Sequence, residues 1–310
     1  DLPLGPSALT ISNLAGSITT PSAFEVLPVP YQWDWGFSFH NPGGYLMGWD
    51  DYGRAFGDAV NSLLCCEYED LFCARRCHDY LAQLIWDGFA RELAMPGSCW
   101  GMSVASLKYY YADWPLAPGE TVRAQWFNLD PENDLTGNIK ALHLSQLSAE
   151  TIGYLVDHIG DNPATVLGQV IADLDAGTPG VLSIQRVAAG MDVMDLQGHA
   201  LVPVHSEEVS PGLTRVYVYD SNRESWSESR DNDDPSTFAT LTTWASYPYL
   251  TVDTDGVQTW QFEMVDGTLY NGDNRLHISV RVGDGEMTVP FSGLFYFPRS
   301  AAVRSHYTFP

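Results

Sequence analysis

The sequence predicts an α+β fold in which a mainly helical first part precedes an antiparallel β part. Apolar residues recur at three- and four-residue steps between Leu81 and Phe89, as on the buried face of a helix. After residue 180, short segments rich in β-branched and aromatic residues replace that helical period. With 310 residues and 45% apolar content, the chain can fill a sizeable core.

The first fifty residues carry no helical period. Residues 1–30 are rich in Pro, Ser, Thr and Leu, and we expect them to form an extended arm. Residues 31–39 alternate aromatic residues with small or polar ones, which is typical of a half-buried strand. The sequence Asn41-Pro42-Gly43-Gly44 ends that strand. We therefore expect 1–50 to be an arm followed by one aromatic strand.

The segment 51–180 is predicted to be the helical lobe. The sequence from Asp51 to about Leu93 reads as helical. Pro96-Gly97 then ends this helix, and a new one is predicted to begin at Cys99.

Later in this lobe, residues 112–145 contain several prolines and are expected to be mostly loop. Ser148 is a suitable N-cap for a helix that runs through Ile159. Asn162-Pro163 opens another helix, which Gly177 closes.

The remaining sequence predicts antiparallel strands. We expect a β lobe over 181–270 and additional C-terminal strands over 271–310. The strand-like segments are 181–184, 200–204, 215–219, 259–263, 276–280 and 294–297. Helices followed by strands in this way are the α+β pattern.

The charge balance excludes several classes of partner. The formal net charge is −24, from 39 acidic and 15 basic side chains. An acidic surface repels nucleic acid and anionic lipid, so we expect neither as a partner. No apolar run is long enough to span a bilayer. The opening Asp1-Leu2-Pro3 is typical of a mature N-terminus from which an export signal has been removed.

Cysteine usage indicates an oxidising compartment. Four of the five cysteines, Cys65, Cys66, Cys73 and Cys77, are clustered, and Cys99 stands apart. We expect two structural disulfides among the four, with their pairing open, and a free thiol at Cys99. The alternatives are a zinc site, although Cys65-Cys66 lacks the usual Cys-x-x-Cys spacing, and small buried hydrophobes. The disulfide interpretation predicts a secreted, extracellular protein.

Three polar residues have the types and the order that a thiol nucleophile requires. Cys99 lies at the start of a predicted helix, whose dipole favours the thiolate. His199, in Gly198-His199-Ala200 on an apolar strand, would take the proton of the thiol and then transfer it to the leaving amine. Asp220 ends the next strand and would fix the imidazole tautomer. Asn222 is the alternative orienting residue, and Asp220 is preferred because a carboxylate also stabilises imidazolium.

These motifs resemble those of papain-like cysteine peptidases. The similarity is closest to the secreted bacterial branch whose nucleophile lies in a Cys-aromatic-Gly-Met-Ser string. Here that string is Cys99-Trp100-Gly101-Met102-Ser103, and a Gly-His-Ala strand and a Tyr-Asp-x-Asn strand end follow it. The resemblance covers residues 51–265. It implies a papain-like fold, with a helical lobe packed on an antiparallel β lobe.

One position departs from the family pattern. Papain-like enzymes usually place a glutamine about six residues before the nucleophile, where it joins the backbone N–H of the cysteine as an oxyanion donor. In this chain Leu93 stands there. Gln83, Gln197 or a backbone amide remain as alternative donors.

The resemblance implies a secreted cysteine peptidase that hydrolyses peptide amides through an acyl-thioester on Cys99. Two alternatives remain: acyl transfer to an amine, as in transglutaminases, and a catalytically inactive binding module. His205, further along the strand of His199, is the weaker candidate base because Glu207-Glu208 after it predicts a solvated loop. We expect a protein or peptide substrate, no cofactor or metal, and a monomer.

Overall fold

The computed structural model describes residues 5–13, 16–26, 36–37, 41, 43–44, 46–57, 61–68, 73–78, 80–88, 90–114, 134–186, 197–222, 247–282 and 285–304. The helices are α1 (Trp49–Phe56), α2 (Tyr80–Gly88), α3 (Cys99–Tyr110), α4 (Asp134–Leu144), α5 (Ala149–His158), α6 (Pro163–Asp175) and α7 (Arg299–Ala302). The strands are β1 (Gly5–Asn13), β2 (Gly16–Val26), β3 (Asn61–Tyr68), β4 (Cys73–His78), β5 (Val181–Arg186), β6 (Gln197–Ser210), β7 (Leu213–Asp220), β8 (Tyr249–Asp253), β9 (Thr259–Glu263), β10 (Leu269–Asp273), β11 (His277–Val282), β12 (Gly285–Pro290) and β13 (Leu294–Phe297). The chain is a mixed α+β protein, as its sequence predicts.

In the described part of the chain, the largest sheet has seven antiparallel strands in the order β10-β9-β8-β7-β6-β5-β13. Strands β5 to β10 are neighbours both in sequence and in space, whereas β13 returns from the C-terminal region to pair with β5. In the β6–β7 pair, Leu201 lies opposite Asp220. This register places the start of β6 beside the end of β7.

Helix α3 lies against one face of this sheet. Its Trp100, Val104 and Leu107 are buried in one cluster with Ala200 and Val202 of β6. Each such side chain contributes roughly 1.5–3 kcal/mol when it is fully buried. The first turn of the helix is thereby fixed next to the start of β6.

Helix α6 contributes to a second core cluster. Its Val166, Leu167 and Val170 are buried together with Leu182 of β5 and Val216 of β7. Side chains of a strand point alternately to opposite faces, so α3 and α6 enclose the sheet between them. Because the central strands of this sheet are buried on both faces, their sequences are continuous apolar runs.

The two helices before α3 pack with α4, which follows it. Tyr52 and Phe56 of α1, Trp86 of α2 and Leu144 of α4 share a third buried cluster. Strands β1 and β2 pair with each other, as do β3 with β4 and β11 with β12. No helix among the residues that the structure describes has the length and apolar character needed to cross a membrane.

One prediction of secondary structure is wrong, and another omits a helix. The segment Asp51–Leu93 is not helical throughout, because β3 and β4 form an antiparallel pair between α1 and α2. The helical period that supports this prediction begins only at Leu81. The prediction that residues 112–145 are mostly loop omits α4, which begins at Asp134. Leu135, Ile139 and Leu142 give α4 a buried stripe at helical spacing, which the neighbouring prolines obscure.

Other predicted elements are confirmed. Helix α3 begins at Cys99. Ser148 caps α5 by accepting a hydrogen bond from the Thr151 N–H at 3.2 Å, and Asn162 caps α6 through the Thr165 N–H at 2.9 Å. Such a cap stabilises a helix by about 1 kcal/mol. All six strand-like segments after residue 180 coincide with strands.

Two predictions fall outside the described residues. Most of the aromatic segment 31–39 and the side chains of the four clustered cysteines lie there, so the disulfides remain a prediction.

The extended arm over 1–30 contains β1 and β2, which form an antiparallel pair.

Candidate active site

The nucleophile candidate lies at the junction of a tight turn and a buried helix. Pro96 and Gly97 precede Ser98, the N-cap residue, and Cys99 is the first residue of α3. Gly97 has a φ of 141°, a conformation that favours glycine. A Cβ there would also collide with the side-chain amide of Asn41. The turn therefore requires glycine at this position, and it presents the partly exposed Cys99 thiol at the positive end of the helix dipole.

His199 and Asp220 are brought together by the β6–β7 register. His199 Nε2 lies 2.6 Å from Asp220 Oδ1, and both side chains are buried. The same Oδ1 atom accepts a hydrogen bond from the backbone N–H of Asn222 at 2.9 Å. Because Nε2 is engaged by the carboxylate, Nδ1 is the ring nitrogen that remains for another partner.

That partner is the Cys99 thiol, because the side chains of Cys99 and His199 interact closely enough for each to shift the pKa of the other. Burial by itself raises the pKa of Cys99, but the hydrogen bond and charge of His199, followed by backbone hydrogen bonds from Ala200 and Trp100, bring it below its usual value. Burial lowers the pKa of His199, but the charge and hydrogen bond of Asp220 and the contact with Cys99 raise it to about 10. These opposite shifts favour a thiolate–imidazolium pair.

The side chain of Asn222, the alternative orienting residue, is hydrogen-bonded elsewhere. Its backbone braces Asp220, and its side-chain Oδ1 accepts a hydrogen bond from Asn41 Nδ2 at 2.8 Å. The structure thus places Asp220, not Asn222, on the imidazole.

Sequence reasoning missed Asn41. Its Oδ1 accepts a hydrogen bond from the Ser98 N–H, and its own backbone N–H donates to the Ser221 carbonyl at 2.8 Å. A backbone N–H can only meet the oxygen of the amide, so the Ser98 contact fixes which end of Asn41 is the donor. Asn41 thereby ties the nucleophile turn to the strand end that carries Asp220. The Asn-Pro-Gly-Gly sequence indicates a turn, but nothing in it points to a contact so far along the chain.

Cys99 and His199 line an open cleft of about 520 Å³. None of the described lining residues is Asp, Glu, Lys or Arg. The other walls combine amide and hydroxyl groups with apolar and aromatic surface, from Asn41, Gln146, Ser183, Gln185, Leu93, Trp100, Met264 and Tyr270. Such a lining suits a neutral, partly apolar ligand.

A second imidazole, that of His143 in α4, lies in the cleft wall. Its Nδ1 accepts a hydrogen bond from the Gly101 N–H at 3.4 Å, and Nε2 lies 3.3 Å from the Leu93 carbonyl oxygen. The accepting role of Nδ1 leaves the proton on Nε2, where it meets the Leu93 carbonyl. Burial lowers the pKa of His143 to about 4, and the Leu93 contact opposes this shift only in part. His143 is therefore neutral, and it stabilises the first turn of α3 by accepting this hydrogen bond.

The other residues considered from the sequence lie elsewhere. Gln83 Nε2 donates to Asp87 within α2 at 3.0 Å, and the side chain of Gln197 is outside the described set. The ring of His205 stacks on Tyr217, with centroids 5.7 Å apart. Neither Gln83 nor His205 lines the cleft.

Comparisons with known proteins add no family: the chain matches no family model, and neither curated proteins nor solved structures show a significant similarity. In the described ranges, no three His, Cys, Asp or Glu side chains gather closely enough to bind a metal ion. The site combines an activated thiol, an oriented imidazole and a cleft that gives access to the sulfur.

Proposed function

We propose that this chain is a secreted cysteine peptidase of papain-like fold that hydrolyses peptide amides through an acyl-thioester on Cys99. The observation that carries the proposal is the continuous chain of contacts from Cys99 through His199 to Asp220, at the edge of an open cleft. A helical lobe bearing the nucleophile and an antiparallel sheet bearing the base further support the papain-like interpretation.

The first half-reaction forms the thioester. The Cys99 thiolate attacks the carbonyl carbon of the scissile amide, a C–S bond forms, and the carbonyl electrons move onto oxygen. As the tetrahedral intermediate collapses, His199 Nδ1–H gives its proton to the departing amine nitrogen. The carboxylate of Asp220 holds the ring in place and stabilises its positive charge until then.

The second half-reaction regenerates the enzyme. Neutral His199 takes a proton from a water molecule, whose oxygen attacks the thioester carbon. The C–S bond breaks, the acid product leaves, and the thiolate–imidazolium pair is restored. No group outside the chain is needed to balance either step.

The oxyanion in both steps needs donors near Sγ. The backbone N–H of Cys99 is one candidate, since the first N–H groups of a helix have no acceptor within the helix. Asn41 is the second in our proposal. One hydrogen of its NH₂ group meets Asn222 Oδ1, and the other is left for a carbonyl oxygen in the cleft that Asn41 lines. Asn41 would then be the side-chain oxyanion donor, the role that a glutamine has in papain-like enzymes at the position of Leu93.

The experiment is a digest of a proteome-derived peptide library by the full chain, compared with Cys99→Ser. Wild type should yield new carboxyl termini in the peptides, and Cys99→Ser none. His205→Ala is the matched control, because His205 lies outside the cleft, and it should cleave like wild type.

Adding methylamine to the same digest separates the alternatives. Free acids as the main products support hydrolysis, whereas N-methyl amides would indicate an acyltransferase. Peptides retained without any new terminus, by folded wild type and Cys99→Ser alike, would instead indicate a binding module.

A further inference from the structure

A second cavity lies at the end of α3 opposite to Cys99. Its volume is about 440 Å³. Its walls come from helix α1, from the last turns of α3 and from helix α4. Phe56, Trp114 and Leu142 give it apolar surface. Among the described residues, it shares no lining residue with the cleft that holds Cys99.

The charge of this cavity is opposite to that of the chain. Arg54, Lys108 and Arg304 line it, and none of its described lining residues is acidic. The whole chain has only 15 basic side chains against 39 acidic ones, and Lys108 is one of its two lysines. Three cations around one cavity in so acidic a protein form a local attraction for anions.

Lys108 is the deepest of the three cations. It is only 6% exposed, and its Nζ donates to the Arg304 carbonyl oxygen at 2.5 Å. Nζ also lies 5.8 Å from the centroid of the Trp114 ring, within range of a cation–π interaction. An ammonium group carries three donors, and the carbonyl uses one of them. Burial lowers the pKa of Lys108, and the negative charge of Asp113 offsets this only in part, so a further acceptor in the cavity would stabilise the ammonium group.

The two arginines are anchored at the sides of the cavity. Arg54 Nη1 donates to Asn138 Oδ1 at 3.4 Å, and Arg304 Nε donates to the Ser300 carbonyl at 2.6 Å. Arg304 Nη1 also lies 3.9 Å from a carboxylate oxygen of Glu150. Held in this way, the planar guanidinium groups are suited to carboxylate or phosphate oxygens.

We propose that this cavity binds the carboxylate or phosphate group of a small ligand. Lys108 supplies the central charge, Arg54 and Arg304 flank it, and Trp114 and Phe56 contact the body of the ligand. The proposal is independent of the chemistry at Cys99.

The test is calorimetric titration of the full chain with inorganic phosphate and, separately, with acetate, at matched ionic strength in sodium chloride. Wild type should bind at least one of them at a single site. Lys108→Met and Arg54→Gln should each weaken binding about ten- to hundredfold, the effect of losing one hydrogen bond to a charged group. Lys140→Met is the matched control: it removes the other lysine, which contacts Asp51 at 3.7 Å outside the cavity, and it should bind like wild type.

The two titrations separate phosphate-bearing from carboxylate ligands, and binding of either supports the site. The proposal is wrong if neither anion binds in the presence of chloride, or if Lys108→Met and Arg54→Gln bind as tightly as wild type. Circular dichroism establishes that each variant is folded. If Lys108→Met does not fold, Arg54→Gln decides the outcome.

Discussion

His199 Nε2 and Asp220 Oδ1 are 2.6 Å apart in a site where both side chains are buried. This contact determines the orientation of the imidazole, because it leaves only Nδ1 to meet the Cys99 thiol. It also sets the charge of the ring, since a buried carboxylate strongly favours the imidazolium form. The chemistry we propose for Cys99 depends on both consequences.

Replacing the carboxylate by an amide should separate orientation from charge. Asp220→Asn keeps a hydrogen-bonding oxygen on the ring but removes the negative charge, so the pKa of His199 should fall from about 10 toward its ordinary value. The alkaline limb of the pH–rate profile should move to lower pH, and kcat/KM should drop about tenfold or more. An unchanged alkaline limb would show that Asp220 does not set the charge of His199.

Asn41 should matter for turnover more than for thiolate formation. Asn41→Asp keeps an acceptor for the Ser98 N–H but loses both amide hydrogens. Removing one oxyanion donor lowers kcat by about 10²–10³-fold. Alkylation of Cys99 by iodoacetamide passes through no oxyanion, so its rate at a pH where the thiol is fully ionised should remain within a few-fold of wild type.

Asn222→Ala is the control for that experiment. It removes the partner of Asn41 Nδ2 without removing the donor, and it should retain most of the activity. If alkylation slows as much as turnover in Asn41→Asp, then Asn41 positions the nucleophile turn and is not an oxyanion donor.

Gly101 allows α3 and α4 to approach closely. A Cβ at this position would collide with the Ile139 carbonyl oxygen. Gly101→Ala should therefore reduce the free energy of unfolding by about 1–3 kcal/mol despite the better helix propensity of alanine. Gly153→Ala in α5 meets open space and should instead stabilise by up to about 1 kcal/mol. Urea denaturation of the two variants measures both values, and equal effects would contradict the close approach.

His143 should make the fold sensitive to acid. Its pKa is lowered from 6.5 to about 4 by burial, so the unfolded chain binds a proton that the folded chain does not. The contribution of His143 to the free energy of unfolding is fully present above pH 6.5. It is lost as the pH falls toward 4, and the total loss is about 3 kcal/mol. His143→Gln should flatten this part of the curve of unfolding free energy against pH. The same slope in wild type and variant would show that His143 is not the group responsible.

The sequence predicted the parts of the site that local patterns encode. The turn before a helix predicted the position of Cys99. The apolar strands predicted His199 near the start of one strand and Asp220 at the end of the next. Asn41 was not predictable in this way, because its contact with Ser98 spans 57 residues and no local sequence pattern encodes a contact at that separation. His143 was missed for a related reason, since α4 itself was obscured by the prolines before it.

The pH dependence of Cys99 alkylation tests the central claim most directly. Iodoacetamide labelling of the full chain, with the modified residue located by mass spectrometry, should show Cys99 reacting at pH values well below those at which an ordinary thiol ionises. In His199→Ala the profile should shift up to that of an ordinary or buried thiol, and peptide turnover should fall by about 10²–10⁴-fold. If wild type and His199→Ala titrate at the same pH, Cys99 and His199 do not form an ion pair, and the account of this site is wrong.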